Sequence, residues 1–268
     1  LQSFKLIFGT IVAAIVAVVV LGGIKRIANV ATVLVPFMVG AYFIMVLYII
    51  ITHIGDVPEV FASIFREAFS LKAGWGGLIG IALIGARRAA LVNDAGVGTA
   101  SIMHGASKNN QPVREGLVAM IGPAIDSGLV CTLTSIPILM AMMVSPIEVE
   151  GVKGLYIALN AFETMLPGWG EYALMVIVFI FAVTTMFSYS FYGTECAGYL
   201  FGYKNGKYYD YFYLFMIVVA CVISLDLVVS IMDLAFALMT IPTMFVLLRL
   251  APQVKREMKV YFAKGKQQ

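Results

Sequence analysis

The sequence predicts an all-α integral membrane protein with about seven transmembrane crossings, one of them discontinuous. Three observations lead to that class. Hydrophobic residues make up 61% of the 268-residue chain and charged residues only 12%, for a mean hydropathy of +0.96, well outside the composition of soluble domains. Several uninterrupted apolar stretches approach or exceed the length needed to cross a bilayer. The basic residues, finally, gather in alternate connections between those stretches.

A helix needs about 20 apolar residues to cross the roughly 30 Å hydrocarbon layer, where lipid offers no partner for a free N–H or C=O. Residues 6–24 carry no charge and end at Lys25 and Arg26. Residues 28–52 follow as the second arm of a hairpin, interrupted only by Pro36, a kink candidate because it lacks an N–H. Residues 116–144 hold one charge, Asp126, and residues 172–194 hold none. Residues 209–225 and 234–250 form two short spans around a turn bearing Asp226 and Asp233. Two further connections, residues 57–69 and 155–165, alternate apolar and polar residues near helical spacing and are too short to span. They are expected as amphipathic helices at the outer membrane surface.

Basic residues on short loops set orientation. Placing the turn at residues 22–27, the region 87–114, the turn 204–207 and the tail after residue 248 in the cytoplasm leaves only Lys5, Arg66, Lys72 and Lys153, of 18 Lys and Arg, on the other side. Six crossings cannot satisfy that alternation, so residues 74–106 must cross as well. Their first half is apolar up to Arg87 and Arg88, and their second half runs through Asn93, Asp94, Gly96, Gly98, Thr99 and Ser101. Such a composition fits a broken helix, not a lipid-facing rod. The expected arrangement has the N-terminus outside and residues 250–268 as a cytoplasmic tail, all within a single transmembrane domain spanning residues 1–268. The basic tail is either a solvated stop signal or a segment lying on anionic lipid.

The same composition excludes several functions. A formal net charge of +3, scattered along the chain, does not build a nucleic-acid surface, and no nucleic-acid partner is expected. Cys131, Cys196 and Cys221 lie in or beside apolar runs and are expected as packing residues. His53 and His104 are solitary, and no nucleophile motif occurs, so an enzyme is not expected and no cofactor is implied.

Candidate site residues fall in three groups. Broken helices at membrane depth line cavities, with helix N-termini facing anionic substrate groups and unwound carbonyls facing cations. Gly96 and Gly98 permit that unwinding, while Asn93, Thr99 and Ser101 supply neutral donors and acceptors for a substrate; the plainer alternative is a Gly-rich turn. Thr185, Ser188, Tyr189 and Tyr192 recur at i, i+3, i+4 and i+7 on one helix face, with Thr184 beside them. Hydroxyl oxygens are hard ligands suited to a small cation, and Tyr189 is placed to wall an organic substrate; the alternative is interhelical hydrogen bonding. Asp126 needs a partner inside its span. Arg87 or Arg88 is the candidate for a structural clamp or gate, and direct ion coupling is the sharper alternative.

The blocks Gly22-Gly23-Ile24-Lys25-Arg26-Ile27-Ala28, Leu34-Val35-Pro36-Phe37-Met38 and Pro58-Glu59-Val60-Phe61 resemble the alanine or glycine:cation symporter family. So do Gly85-Ala86-Arg87-Arg88 with Asn93-Asp94-Ala95-Gly96-Val97-Gly98, Pro112-Val113-Arg114-Glu115-Gly116-Leu117-Val118 with Ile125-Asp126, and Tyr192-Gly193 with Tyr199-Leu200-Phe201-Gly202. The resemblance covers nearly the whole chain in order. It departs at Val92 and Asp94, where Ser and Glu are usual, and at Tyr189, where Trp is usual.

The resemblance implies a partial leucine-transporter-like fold, with residues 74–106 as its sixth core helix and residues 172–194 as its eighth, which shares a sodium site with the first. It further implies a C-terminal portion whose partners include the N-terminal helices of the same protein, the lipid bilayer, sodium as coupling ion at Thr184, Thr185 and Ser188, and a small neutral amino acid. The expected function is sodium-coupled symport of that amino acid, of alanine or glycine type, by alternating access in the plasma membrane. A channel-like pore and a transport-inactive membrane subunit are the alternatives.

Overall fold

The computed structural model describes residues 2–68, 80, 82–86, 96–145 and 154–265. Arg87, Arg88, Asn93 and about half of the 74–106 stretch lie outside the described residues. Among the described residues all regular structure is helical. Five helices among them are long and apolar enough to cross a membrane: Ser3–Val20, Gly23–Thr52, Pro112–Val144, Gly170–Phe201 and Leu225–Ala263.

The chain divides into two compact units, Leu1–Ile79 with Val130–Cys221, and Gly80–Leu129 with Val222–Gln268. In the first unit, α1 (Gln2–Val20) and α2 (Gly23–Thr52) are separated by a break at Leu21 and Gly22, so Lys25 and Arg26 fall in the first turn of α2 rather than in the loop. Pro36 lies inside α2, where the missing N–H is tolerated without ending the helix. The amphipathic segments form as helices α3 (Val57–Ala68) and α7 (Gly154–Met165).

Their apolar faces meet protein. Val60 of α3 and Leu159, Ala161, Phe162 and Met165 of α7 join one core with Met45, Val46 and Ile49 of α2, Ile136, Met140 and Ala141 of α6 (Cys131–Val144), and Leu174 of α8 (Gly170–Phe201). Phe162 and Val60 are fully buried there. An amphipathic stripe reports only that one face leaves water, and here neighbouring helices cover it. The Tyr42 and Thr134 hydroxyls hydrogen-bond to each other beside this core, and Thr134 Oγ1 donates to the Val130 carbonyl at 2.7 Å.

The α7–α8 connection is tight. The Glu163 carboxylate accepts the backbone N–H of Gly168 (2.7 Å) and of Glu171 (3.2 Å), satisfying donors at the start of α8, where a negative charge is favoured. A Cβ on Gly170 would stand 2.2 Å from the Phe162 carbonyl oxygen, so only glycine fits. At the far end of α8, the 204–207 turn is a short helix, α9 (Tyr203–Gly206), leading into α10 (Tyr208–Val222). At 15 residues, about 22 Å of helix, α10 is shorter than the hydrocarbon layer. Of the three cysteines, Cys131 and Cys196 are exposed and Cys221 is partly buried. Cys221 alone matches the packing expectation, lying against Gly9.

The second unit contains α4 (Thr99–Gly105), α5 (Pro112–Pro123) and α11 (Leu225–Gly265). Between α5 and α6 the helix rewinds into a π segment, Ala124–Val130, directly after Pro123, which contributes no N–H to the ladder. The turn expected around Asp226 and Asp233 is instead helical: the chain breaks at residues 223–224, and both aspartates lie in α11. Beyond residue 250, α11 continues through Pro252 to Gly265.

Candidate functional site

In the second unit, the chain enters α4 through Gly96 (φ +81°), Val97 and Gly98 (φ +98°). Two left-handed residues flanking one apolar residue prevent helical winding until Thr99. Gly96 and Gly98 thus form a non-helical entry to α4, a geometry that fits both the unwinding and the Gly-rich turn expected there. Its carbonyls are held by hydroxyls: Ser101 Oγ donates to the Gly98 oxygen at 2.6 Å, and Thr243 Oγ1 of α11 donates to the Val97 oxygen at 3.2 Å. Val97 and Thr99 are buried, whereas Ser101 is exposed. Thr99 Oγ1 is buried and takes no hydrogen bond among the described residues. A buried hydroxyl without a partner loses about 1–3 kcal/mol relative to a satisfied one.

Asp126 sits in the π segment with its side chain exposed. Its expected partners, Arg87 and Arg88, lie outside the described residues.

In the first unit, α8 presents two polar faces. Thr185, Ser188, Tyr189 and Tyr192 share one, as their spacing requires, and the Tyr189 and Tyr192 rings meet edge-on with centroids 5.6 Å apart. Thr185 Oγ1 donates to the Phe181 carbonyl at 2.9 Å. Thr184, to the side of this face and buried, shares its hydrogen between the carbonyls of Ile180 (3.0 Å) and Phe181 (2.9 Å). Both hydroxyls direct their hydrogen at the helix backbone. Their lone pairs stay directed away from it, the polarity a cation ligand needs.

The opposite face of α8 carries Ser190 and Thr194, which sequence spacing did not single out. Asp210, in the first turn of α10, accepts from Ser190 Oγ at 3.0 Å and Thr194 Oγ1 at 2.7 Å. Tyr213 donates to the Met186 carbonyl at 3.0 Å, and the Tyr209 ring lies on Gly193, where a Cβ would come within 2.0 Å of it. These contacts clamp α10 to α8 on the side away from Thr185 and Ser188. The signal was available as Ser and Thr at i and i+4 preceding an Asp at a helix start, but nothing in one sequence says that they meet. Asp210→Ala is expected to lower stability by about 2 kcal/mol, since it removes one carboxylate from two hydroxyls, one of them buried. A thermal unfolding curve of the detergent-solubilised protein that did not move would show the clamp to be energetically idle.

A second overlooked hub is Glu115, whose carboxylate receives His104 Nδ1 at 2.8 Å and Ser107 Oγ at 2.9 Å and so ties α4 to α5. His104, solitary in the sequence, is thus structurally engaged.

Long apolar helices, an unwound glycine segment and hydroxyl-bearing helix faces define the class as an all-helical, multi-pass membrane protein. The chain belongs to the sodium:alanine symporter family, whose family model matches residues 1–268. That is a family of transporters and not of enzymes. The chain is similar to the sodium/alanine symporter AgcS of Methanococcus maripaludis, 34% identical over 257 residues that cover 96% of this chain and 56% of the relative. It is also 34% identical over 208 residues to the sodium/proton-dependent alanine carrier protein of Bacillus sp. strain PS3, covering 73% and 47% respectively. The probable sodium/glutamine symporter GlnT of Bacillus subtilis is 28% identical over 265 residues, covering 96% and 54%. The chain spans about half the length of these curated relatives.

Proposed function

We propose that the protein acts in sodium-coupled symport of a small neutral amino acid of alanine type, by alternating access and without covalent chemistry. The observation that carries this reading is the non-helical Gly96–Val97–Gly98 entry to α4 with the buried Thr99 hydroxyl behind it, which has no hydrogen-bond partner among the described residues. Within a symporter family, such a segment is where main-chain groups face a substrate. In this reading Asn93, Gly96, Gly98, Thr99 and Ser101 bind the amino acid together with Tyr189. Thr184, Thr185 and Ser188 contribute hydroxyl oxygens to sodium, and Arg87, Arg88 and Asp126 form a clamp or gate.

The architecture belonging to this function is leucine-transporter-like. It has seven crossings in this chain, residues 74–106 being the discontinuous one, in a single transmembrane domain. In this reading it lies in the plasma membrane, and the distribution of basic loops supports a cytoplasmic C-terminus.

The test is sodium-gradient-driven alanine uptake into proteoliposomes that hold this chain together with the N-terminal helices this reading requires. Thr185→Ala removes one of about five or six cation ligands from a helix that Ala supports well. The half-saturating sodium concentration is expected to rise roughly five- to tenfold, the factor for about 1–1.4 kcal/mol of lost ligand interaction. Apparent alanine affinity at fixed sodium should fall with it, through linkage. If the hydroxyl serves only the Phe181 carbonyl, a well-expressed variant would keep the wild-type sodium curve, and α8 would leave the cation site.

A further inference from the structure

Among the described residues, one side-chain hydrogen bond reaches the Gly96–Thr99 segment from α11. Thr243 Oγ1 has one hydrogen and two acceptors, the carbonyl of Met239 one turn back at 2.8 Å and the carbonyl of Val97 at 3.2 Å. The bond within the helix is the shorter. The one to the unwound segment can therefore be given up without leaving the hydroxyl unsatisfied, and later remade. Nothing comparable holds for Ser101, whose bond to Gly98 stays inside the segment.

Two local features favour such a switch. Pro242 immediately precedes Thr243 and lies inside α11. Having no N–H, it leaves the Leu238 carbonyl without its usual helical partner, which weakens the helix at that turn. On the other side, Gly98 brings its backbone so close that a Cβ would stand 3.1 Å from Thr243 Oγ1. The approach of α11 to the segment is thus made by a hydroxyl on one side and the absence of a side chain on the other.

We infer that Thr243 is a positioning residue for transport, a releasable latch that fixes the Gly96–Thr99 main chain in its binding geometry through the Val97 carbonyl. It touches neither substrate nor ion. This rests on the reading that the Gly96–Ser101 segment binds the transported amino acid, and it names the group on a different helix that sets that segment's geometry. With the latch closed, Val97 stays buried and Thr99 Oγ1 stays directed inward. With the latch open, Thr243 retains the Met239 carbonyl and the segment is free to rearrange.

The experiment compares Thr243→Val, Thr243→Ser and Thr243→Ala in the membrane-reconstituted protein. Val keeps the branched shape and loses the O–H, Ser keeps the O–H and loses the methyl, and Ala lacks both. Hydrogen–deuterium exchange of the peptide covering residues 96–103 reads the latch without requiring transport. Exchange there is expected to quicken about fivefold in Thr243→Val and Thr243→Ala, the factor for one ordinary net hydrogen bond, with wild-type rates in Thr243→Ser. In alanine uptake the same two variants should raise KM with kcat within about twofold, again restored by Ser. Equal exchange in the wild type and Thr243→Val would overturn the latch, and so would a Ser variant as fast as Val. Should the exchange pattern appear while the wild type fails to take up alanine, the latch stands and the transport reading falls.

Discussion

Gly170→Ala is expected to destabilise the protein by about 3 kcal/mol, the upper end for overpacking an already filled site. The added Cβ would fall 2.2 Å from the Phe162 carbonyl oxygen and 2.7 Å from its carbon, and 2.9 Å from the Leu166 Cβ. A long side chain could swing aside, but the carbonyl belongs to the backbone of α7, whose Phe162 is fully buried in the core. Relief would have to open the turn, breaking the Gly170 N–H bond to the Leu166 carbonyl (2.9 Å) and disturbing the two backbone donors held by Glu163. Gly40→Ala is the matched control. It lies inside α2 with nothing within 4 Å of the new methyl, and it should stabilise by up to about 1 kcal/mol through helix propensity. Unfolding of both variants in a denaturing-detergent titration decides the matter. If the two move together, backbone proximity at the α7–α8 turn is not what makes Gly170 necessary.

Gly98→Ala is expected to reduce alanine uptake at least about tenfold at non-saturating substrate. A left-handed backbone costs an L-residue about 1–2 kcal/mol, enough to shift a two-state segment by roughly that factor. At φ +98° the new Cβ would also meet Thr243 Oγ1 at 3.1 Å. Gly96→Ala carries a similar backbone penalty at φ +81°, but meets only the flexible Met244 sulfur, at 3.6 Å. The order of impairment should therefore be Gly98→Ala above Gly96→Ala. Because α4 is short and exposed on much of its surface, global stability should change little in either variant. Wild-type uptake by a well-folded Gly98→Ala protein would remove the unwound segment from the transport cycle.

Much of the helical layout was readable before any coordinates. The spans at 28–52, 116–144 and 172–194 each reappear within a long apolar helix, and that at 6–24 does so up to Val20, where the chain breaks before α2, because lipid leaves a chain no alternative to satisfying its own backbone. The amphipathic helices α3 and α7 start and end within about a residue of their expected bounds, since 3.6-residue spacing is a local property. Gly96 and Gly98 were recognisable as an unwinding point for the same reason: positive φ is a demand that glycine alone meets cheaply.

Other features depended on contacts between residues far apart in the chain. Asp226 and Asp233 read as a polar turn, yet they lie in α11 because the break falls at residues 223–224. The apolar faces of α3 and α7, expected against the membrane surface, are buried by α2, α6 and α8. Hydropathy registers the removal of a side chain from water, but lipid and protein are equally apolar to it. Asp210 and Thr243 passed unnoticed because they bond across helices to groups 16 to 146 positions away, and Glu115 because its partner His104 belongs to another helix.

Composition, span length and glycine placement by themselves determined an all-helical membrane protein with an unwound segment near residue 97. Each of these follows from the backbone's need for hydrogen bonds and from local steric limits. Tertiary structure alone decided which hydroxyl holds the Val97 carbonyl, which face of α8 is clamped by Asp210, and why Gly170 admits no side chain. Those outcomes depend on distances between helices, and a hydrogen bond or a clash is settled within a few tenths of an ångström, far finer than any periodicity in the sequence can specify.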